Sequence, residues 1–157
     1  VEHDHVLLDS SKDNAALSIM CHSTNNSILV PIEKFSAVAL PTTTGLDTDS
    51  IWCIPSRYYG GVAFRFKYLG IAAEHIAVPS GTDSQGQISL FGHVKILCHG
   101  QVSTLDWLIP SSEKAGYMVK ATAGDLTNTW GRSVVAYEAL ATGSGEIYCL
   151  QLPWRVG

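Results

Sequence analysis

Charge is what this sequence has least of. Only 10 Lys and Arg and 14 Asp and Glu occur in 157 residues, which is 15% charged with a net charge of −4. An average soluble domain carries roughly 25%. Ser, Thr, Gly and Asn fill the gap, and the hydrophobic share stays at an ordinary 46%. There is no Lys/Arg run, so a polybasic nucleic-acid module is excluded. Large apolar residues are too many, and net charge too small, for a disordered tail. The 14 Gly and 6 Pro follow no repeat, which excludes a collagen-like or low-complexity chain. No apolar run approaches the roughly 18 residues of a membrane helix. The opening Val1-Glu2-His3-Asp4-His5 lacks the basic region of a signal peptide. The absence of an initiating Met is read as a sign of processing or truncation.

Cysteine is also sparse. Cys21, Cys53, Cys98 and Cys149 include no CxxC pair, so a zinc ribbon or thioredoxin motif is unsupported. A chain this size folds to about 7,700 Å² from an open area of about 24,500 Å², burying roughly 69% without staples. Buried free thiols and a reducing compartment are therefore expected. Size and the lack of any composition break predict one domain over 1–157.

What is present is alternation with a period of two. In Val62-Ala63-Phe64-Arg65-Phe66-Lys67-Tyr68, one face is apolar and the other carries Arg65 and Lys67. Similar stretches run over 15–21, 28–30, 93–98, 102–109, 117–121, 133–140 and 146–152. Turn chemistry separates them, notably Ser23-Thr24-Asn25-Asn26-Ser27 and Thr142-Gly143-Ser144-Gly145. The longest polar loop is Pro79-Ser80-Gly81-Thr82-Asp83-Ser84-Gln85-Gly86, the best candidate for an exposed tip. Short strands with frequent turns indicate an antiparallel sandwich or barrel. One helix is predicted over 31–40: Pro31 suits a first helical position, and Ile32, Phe35 and Ala39 share a helical face.

Candidate chemistry is thin. His3 and His5 could share a metal on one strand face, but a solvated terminus explains them as well. In Cys21-His22 and Cys98-His99 the two side chains point to opposite strand faces, so the cysteine is expected inward and the histidine outward. Ser23 beside His22, with Asp9, Asp13, Asp47 or Asp49, can be drawn as a triad, as in any Ser-rich chain. Gly60-Gly61 lacks the Lys-Ser/Thr of a phosphate loop. Trp52, Trp107, Trp130 and Trp154 are spread out and read as core or interface packing. No catalytic residue, cofactor or metal is therefore assigned, and an enzyme is not expected. A nucleic-acid face would need Arg57, Arg65 and Lys67 joined by Lys95 and Lys120; a solvated sheet face is the plainer reading.

The run from Ile51-Trp52-Cys53-Ile54-Pro55 through Arg57-Tyr58-Tyr59-Gly60-Gly61 into the alternating strand resembles the aromatic–Gly–strand entry of picorna-like viral capsid proteins. Asn128-Thr129-Trp130, followed by two terminal strands, is similar to plant secovirus (comovirus- or cheravirus-type) small coat proteins. The predicted helix fits the insertion in that fold. The resemblance implies an all-β, eight-stranded antiparallel jelly-roll β-sandwich with one short helix. It implies a subunit of an icosahedral capsid of a positive-strand RNA virus, cut from a polyprotein and without catalysis of its own. Its partners would be other capsid subunits in a homo- and hetero-oligomeric shell, with weak genomic RNA contact through Arg57, Arg65 and Lys67 and no membrane. It would reside in the virion, and in host cytoplasm during assembly. The alternative is a β-sandwich binding module, such as a protruding domain that holds a receptor or carbohydrate on a Trp or Tyr platform. A small hydrolase using His22 and Ser23 is the third reading. Low charge suits an assembling protein, because large interfaces deplete charge and favour aromatics.

Overall fold

In a computed structural model, the described residues are 14–23 (backbone only), 31–40, 51–56, 68–77, 85–122 and 133–154. They form nine strands: β1 (Asn14–Ser23), β2 (Ala37–Ala39), β3 (Trp52–Pro55), β4 (Tyr68–Ala72), β5 (Gln85–His99), β6 (Trp107–Pro110), β7 (Met118–Lys120), β8 (Val134–Ala136) and β9 (Ser144–Gln151). The expected all-β class is observed. All nine strands belong to one hydrogen-bonded sheet rather than two stacked ones, in the order β1-β3-β2-β4-β5-β7-β6-β8-β9. β1–β3 and β5–β7 pair in parallel, so the sheet is mixed and not purely antiparallel.

The sheet closes on itself through β5. Its C-terminal half pairs with β9, from Gly92↔Gln151 to His99↔Ser144, and completes a five-strand barrel β5-β7-β6-β8-β9. Its N-terminal half pairs with β1, from His22↔Gln85 to Asn14↔His93, and completes a second ring β1-β3-β2-β4-β5. A 15-residue strand thus serves two rings. The change-over falls at Gly92, whose φ of 119° is open to glycine and closed to most side chains. The β1 register slips opposite this point, between Ala15 and Leu17. Such irregularities bend a strand and increase its twist.

Two apolar cores follow from the two rings. Val94, Ile96, Cys98, Leu108, Met118, Val134, Ala136, Ile147 and Cys149 fill the barrel. Ile32, Val38, Cys53, Ala72, Ile76 and Ile88 fill the smaller cluster. Small barrels have no lumen to spare, so alternate inward side chains fill them completely. Strands β2 and β4 lie between the cores. Ala37 and Ile71 face the barrel core, while Val38 and Ala72 face the smaller one. Gly70 permits the close approach of β4 to β5: a Cβ there would lie 2.3 Å from the Ser89 carbonyl oxygen.

The predicted helix over 31–40 is not formed, and there is no helix among the described residues. Ile32 instead bridges Ile76, the Ser36 N–H bonds the Glu33 carbonyl across a tight turn, and 37–39 is β2. Phe35 adopts φ 70°, outside the right-handed helical region. Ile32, Phe35 and Ala39 match a helical face by coincidence of spacing. β2 is apolar at every position because both of its faces are buried.

Strands are expected at 15–21, 93–98, 117–121, 133–140 and 146–152, and each overlaps an observed strand, although β8 covers only 134–136 of the fourth. The stretch 102–109 is broken by a turn, with only a bridge at Val102 before β6. Gln85 and Gly86 belong to β5 rather than to a loop, and Gly86 is buried. The remainder of that loop, Pro79 to Ser84, lies outside the described residues, as do 28–30 and 62–67. Cys53, Cys98 and Cys149 are buried thiols outside any disulfide, as expected.

Candidate interaction face

Alternation places every second residue of β5, β8 and β9 on the outside of the barrel. On β9 the inward residues are Ile147 and Cys149, so Tyr148 and Leu150 face outward. On β8, Val134 and Ala136 are inward and Val135 is outward. β5 adds His93, Lys95 and Leu97. This face sets Leu97, Val135, Tyr148 and Leu150 beside the polar and charged His93, Lys95 and Glu146.

Its centre is a cleft of about 280 Å³ lined by His93, Tyr137 and Leu150. The His93 imidazole stacks on Tyr148 with ring centroids 4.7 Å apart and meets Tyr137 edge-on at 5.4 Å. His93 Nε2 is buried without a hydrogen-bond partner among the described residues, and the imidazole packs by its faces and edge. Tyr137 remains 59% exposed. Its N–H bonds the Tyr148 carbonyl at 2.9 Å, which fixes the rim of the cleft. Lys95 lies 5.2 Å from the Tyr148 ring centroid and 3.8 Å from Glu146. Leu105 stands beside this face: its N–H bonds the carbonyl of Ala136, the residue before Tyr137. It is 67% exposed and holds φ 71°.

A second cluster has the atoms of a hydrolase dyad that sequence reading missed. Ser111 Oγ lies 2.7 Å from His99 Nε2, beside Tyr117 and Lys114. The hydroxyl also accepts the N–H groups of Glu113 and Lys114, each at 3.0 Å. Its lone pairs are thus engaged, its proton goes to His99, and it is only 1% exposed. The geometry is that of a turn held by a serine.

The residues singled out from sequence fare unevenly. Arg57, Arg65, Lys67, Trp130, His3 and His5 lie outside the described residues, and for His22, Ser23 and Cys21 only backbone is described. Lys95 and Lys120 do not form a basic stripe, since each is paired, with Glu146 and Asp106 respectively, both at 3.8 Å. Cys98 faces the core and His99 the outside, as the dipeptide argument requires. Trp52 and Trp107 are half-buried, and Trp154 is 59% exposed. Among the described residues no three His, Cys, Asp or Glu side chains come together as a metal site. No helix among them is long and apolar enough to cross a membrane. A further cleft of about 270 Å³, lined by Pro31, Glu33, Ser36, Pro55, Lys114 and Tyr117, lies where the two rings meet.

No family model and no curated protein matches the chain. Among solved structures, the fold is shared with the head fiber gp8.5 N base of bacteriophage phi29. The TM-score is 0.55 at 10% identity, over 90% of this chain and 98% of that one. This overturns the resemblance to secovirus coat proteins. The helix meant to support it is a bridge and a turn leading into the short strand β2.

Proposed function

We propose that the chain is a non-catalytic structural module of a virion, acting as the folded base of a surface appendage through contacts with other virion proteins. The observation that carries this reading is the match in fold over nearly the whole of both chains. The chemistry of the surface supports it. The outer barrel face offers apolar and aromatic contact area, and its charges are paired within the chain. Interface cores are similarly depleted in charge and rich in aromatics.

The test is location. Antibodies raised against the chain should label the outside of purified particles in immunogold microscopy, and mass spectrometry of those particles should detect it. Its absence from particles, or labelling only after they are disrupted, would refute the proposal.

A further inference from the structure

We propose that His99 and Ser111 form an acid-released latch. While the imidazole is neutral it pins the turn over 111–117, and protonation frees that turn from the ring to which it is bonded. The proposal stands on hydrogen bonds within the fold and does not depend on the virion role.

The turn is a joint between the two rings. It connects β6 to β7 in the barrel, yet both backbone groups of Gly116 bond the other ring. The Gly116 carbonyl accepts the Ala37 N–H at 2.7 Å, and its N–H donates to the Ser56 carbonyl at 3.0 Å. Ser111 sets the shape of the turn, because its Oγ accepts the N–H groups of Glu113 and Lys114, each at 3.0 Å. These bonds occupy both lone pairs of the hydroxyl, so its own proton goes to His99 Nε2, 2.7 Å away. That fixes the imidazole as the Nδ1–H tautomer, with Nε2 as acceptor. Acid turns Nε2 into a donor. Ser111 would then face three donors with two lone pairs, and its hydroxyl proton would lose its acceptor in a site only 1% exposed. His99 itself is half-buried, so protons from solvent reach it. The surrounding charges favour release. Lys114, whose Nζ bonds Ser144 Oγ at 2.9 Å, lies 4.2 Å from the Tyr117 ring centroid, and that ring meets the imidazole edge-on at 6.2 Å. A charged His99 would thus stand near a second cation. Glu113 in the turn and Glu33 in the ring-junction cleft make no ion pair with His99 among the described residues, and Glu146 on β9 is engaged by Lys95 on β5.

The test is spectroscopic and uses the full chain. Nitrogen NMR at about pH 7.5 should show His99 as the Nδ1–H tautomer. Hydrogen-exchange protection of the Glu113, Lys114, Gly116 and Ala37 amides, corrected for intrinsic rates, should fall about tenfold between about pH 7.5 and about pH 5, the scale of one lost buried hydrogen bond. Amides of β9 should keep their protection, which separates release of the turn from global unfolding. His99→Gln supplies an uncharged acceptor and should hold the turn closed at both pH values. Ser111→Ala should leave it loose at both. If Ser111→Ala does not fold, the tautomer and His99→Gln still decide. An Nε2–H tautomer at neutral pH overturns the proposal. So does protection that acid leaves unchanged, or that falls equally in His99→Gln. Location on the particle, and so the proposed function, is judged separately by labelling.

Discussion

Tyr68 and Gln151, 83 positions apart, meet in the buried interior where β4, β5 and β9 converge. The Tyr68 hydroxyl donates to Gln151 Oε1 at 2.5 Å, and Gln151 Nε2 donates to the Ser89 carbonyl at 3.1 Å. One buried amide therefore joins a strand of each ring to the strand they share. Gln151 is the one polar side chain that β9 sends inward among Ile147 and Cys149, and both its amide nitrogen and its amide oxygen are hydrogen-bonded.

Gln151→Leu should be costly despite the added hydrophobicity. It removes the acceptor that Gln151 Oε1 offers the buried Tyr68 hydroxyl, and losing one partner of a buried hydrogen bond costs about 1–3 kcal/mol. Tyr68→Phe should cost a similar amount by orphaning the amide oxygen. The double variant should lose less than the sum, because its partners are removed together. Urea denaturation of the four chains measures the coupling, and strict additivity would show that the bond contributes nothing.

Gly70→Ala should destabilise by about 1–3 kcal/mol or more, in the range of overpacked cores. The added methyl would fall 2.3 Å from the Ser89 carbonyl oxygen and 2.9 Å from Ile88 Cγ2. Backbone is the nearer obstacle, so β4 and β5 must separate. A drop in melting temperature checks this; an unchanged one would mean that the two strands do not approach so closely.

Burial pushes the Cys98 thiol up to about 12 from an ordinary 9.0. The neutral thiol is favoured in the fold, so this contribution is fully present below pH 9. It is lost as pH rises from 9 towards 12, because only the unfolded chain then releases the proton readily. Stability should accordingly fall above pH 9, and the fall should be shallower in Cys98→Ala. At pH 8 the native chain should modify Cys98 with a thiol reagent only as fast as it opens. Rapid labelling in the native state would contradict the burial.

Leu105→Asn should not weaken the isolated fold. The residue is exposed, and its φ of 71° is one that asparagine tolerates better than leucine. A gain of up to about 1 kcal/mol is expected in chemical denaturation at low protein concentration. A loss larger than that would mean that the leucine packs within its own chain.

Some of this architecture was legible in the residues. The alternation at 146–152 identified β9, because Ile147 and Cys149 share a parity that only an extended chain places on one face. The Cys98-His99 dipeptide likewise declared one side inward and the other outward. The outer face was hidden by the same logic. Tyr148 and Leu150 alternate with Ile147 and Cys149, so both faces read as apolar, and no local rule tells core from interface. The Ser111–His99 contact joins β5 to a turn after β6, and neither residue stands in a motif that would have marked it.

The sequence by itself determined an all-β chain with buried thiols and little surface charge, since these depend on local period and composition. Only the tertiary structure decided that 31–40 is not a helix. Residues 37–39 lie between two cores, and burial on both faces overrides a three-residue coincidence of spacing. It also decided that the strands close into rings around β5 instead of stacking as a jelly roll. Strand alternation states which residues face inward but not which strands become neighbours. That choice is made by contacts between residues far apart in the chain, such as Tyr68 and Gln151.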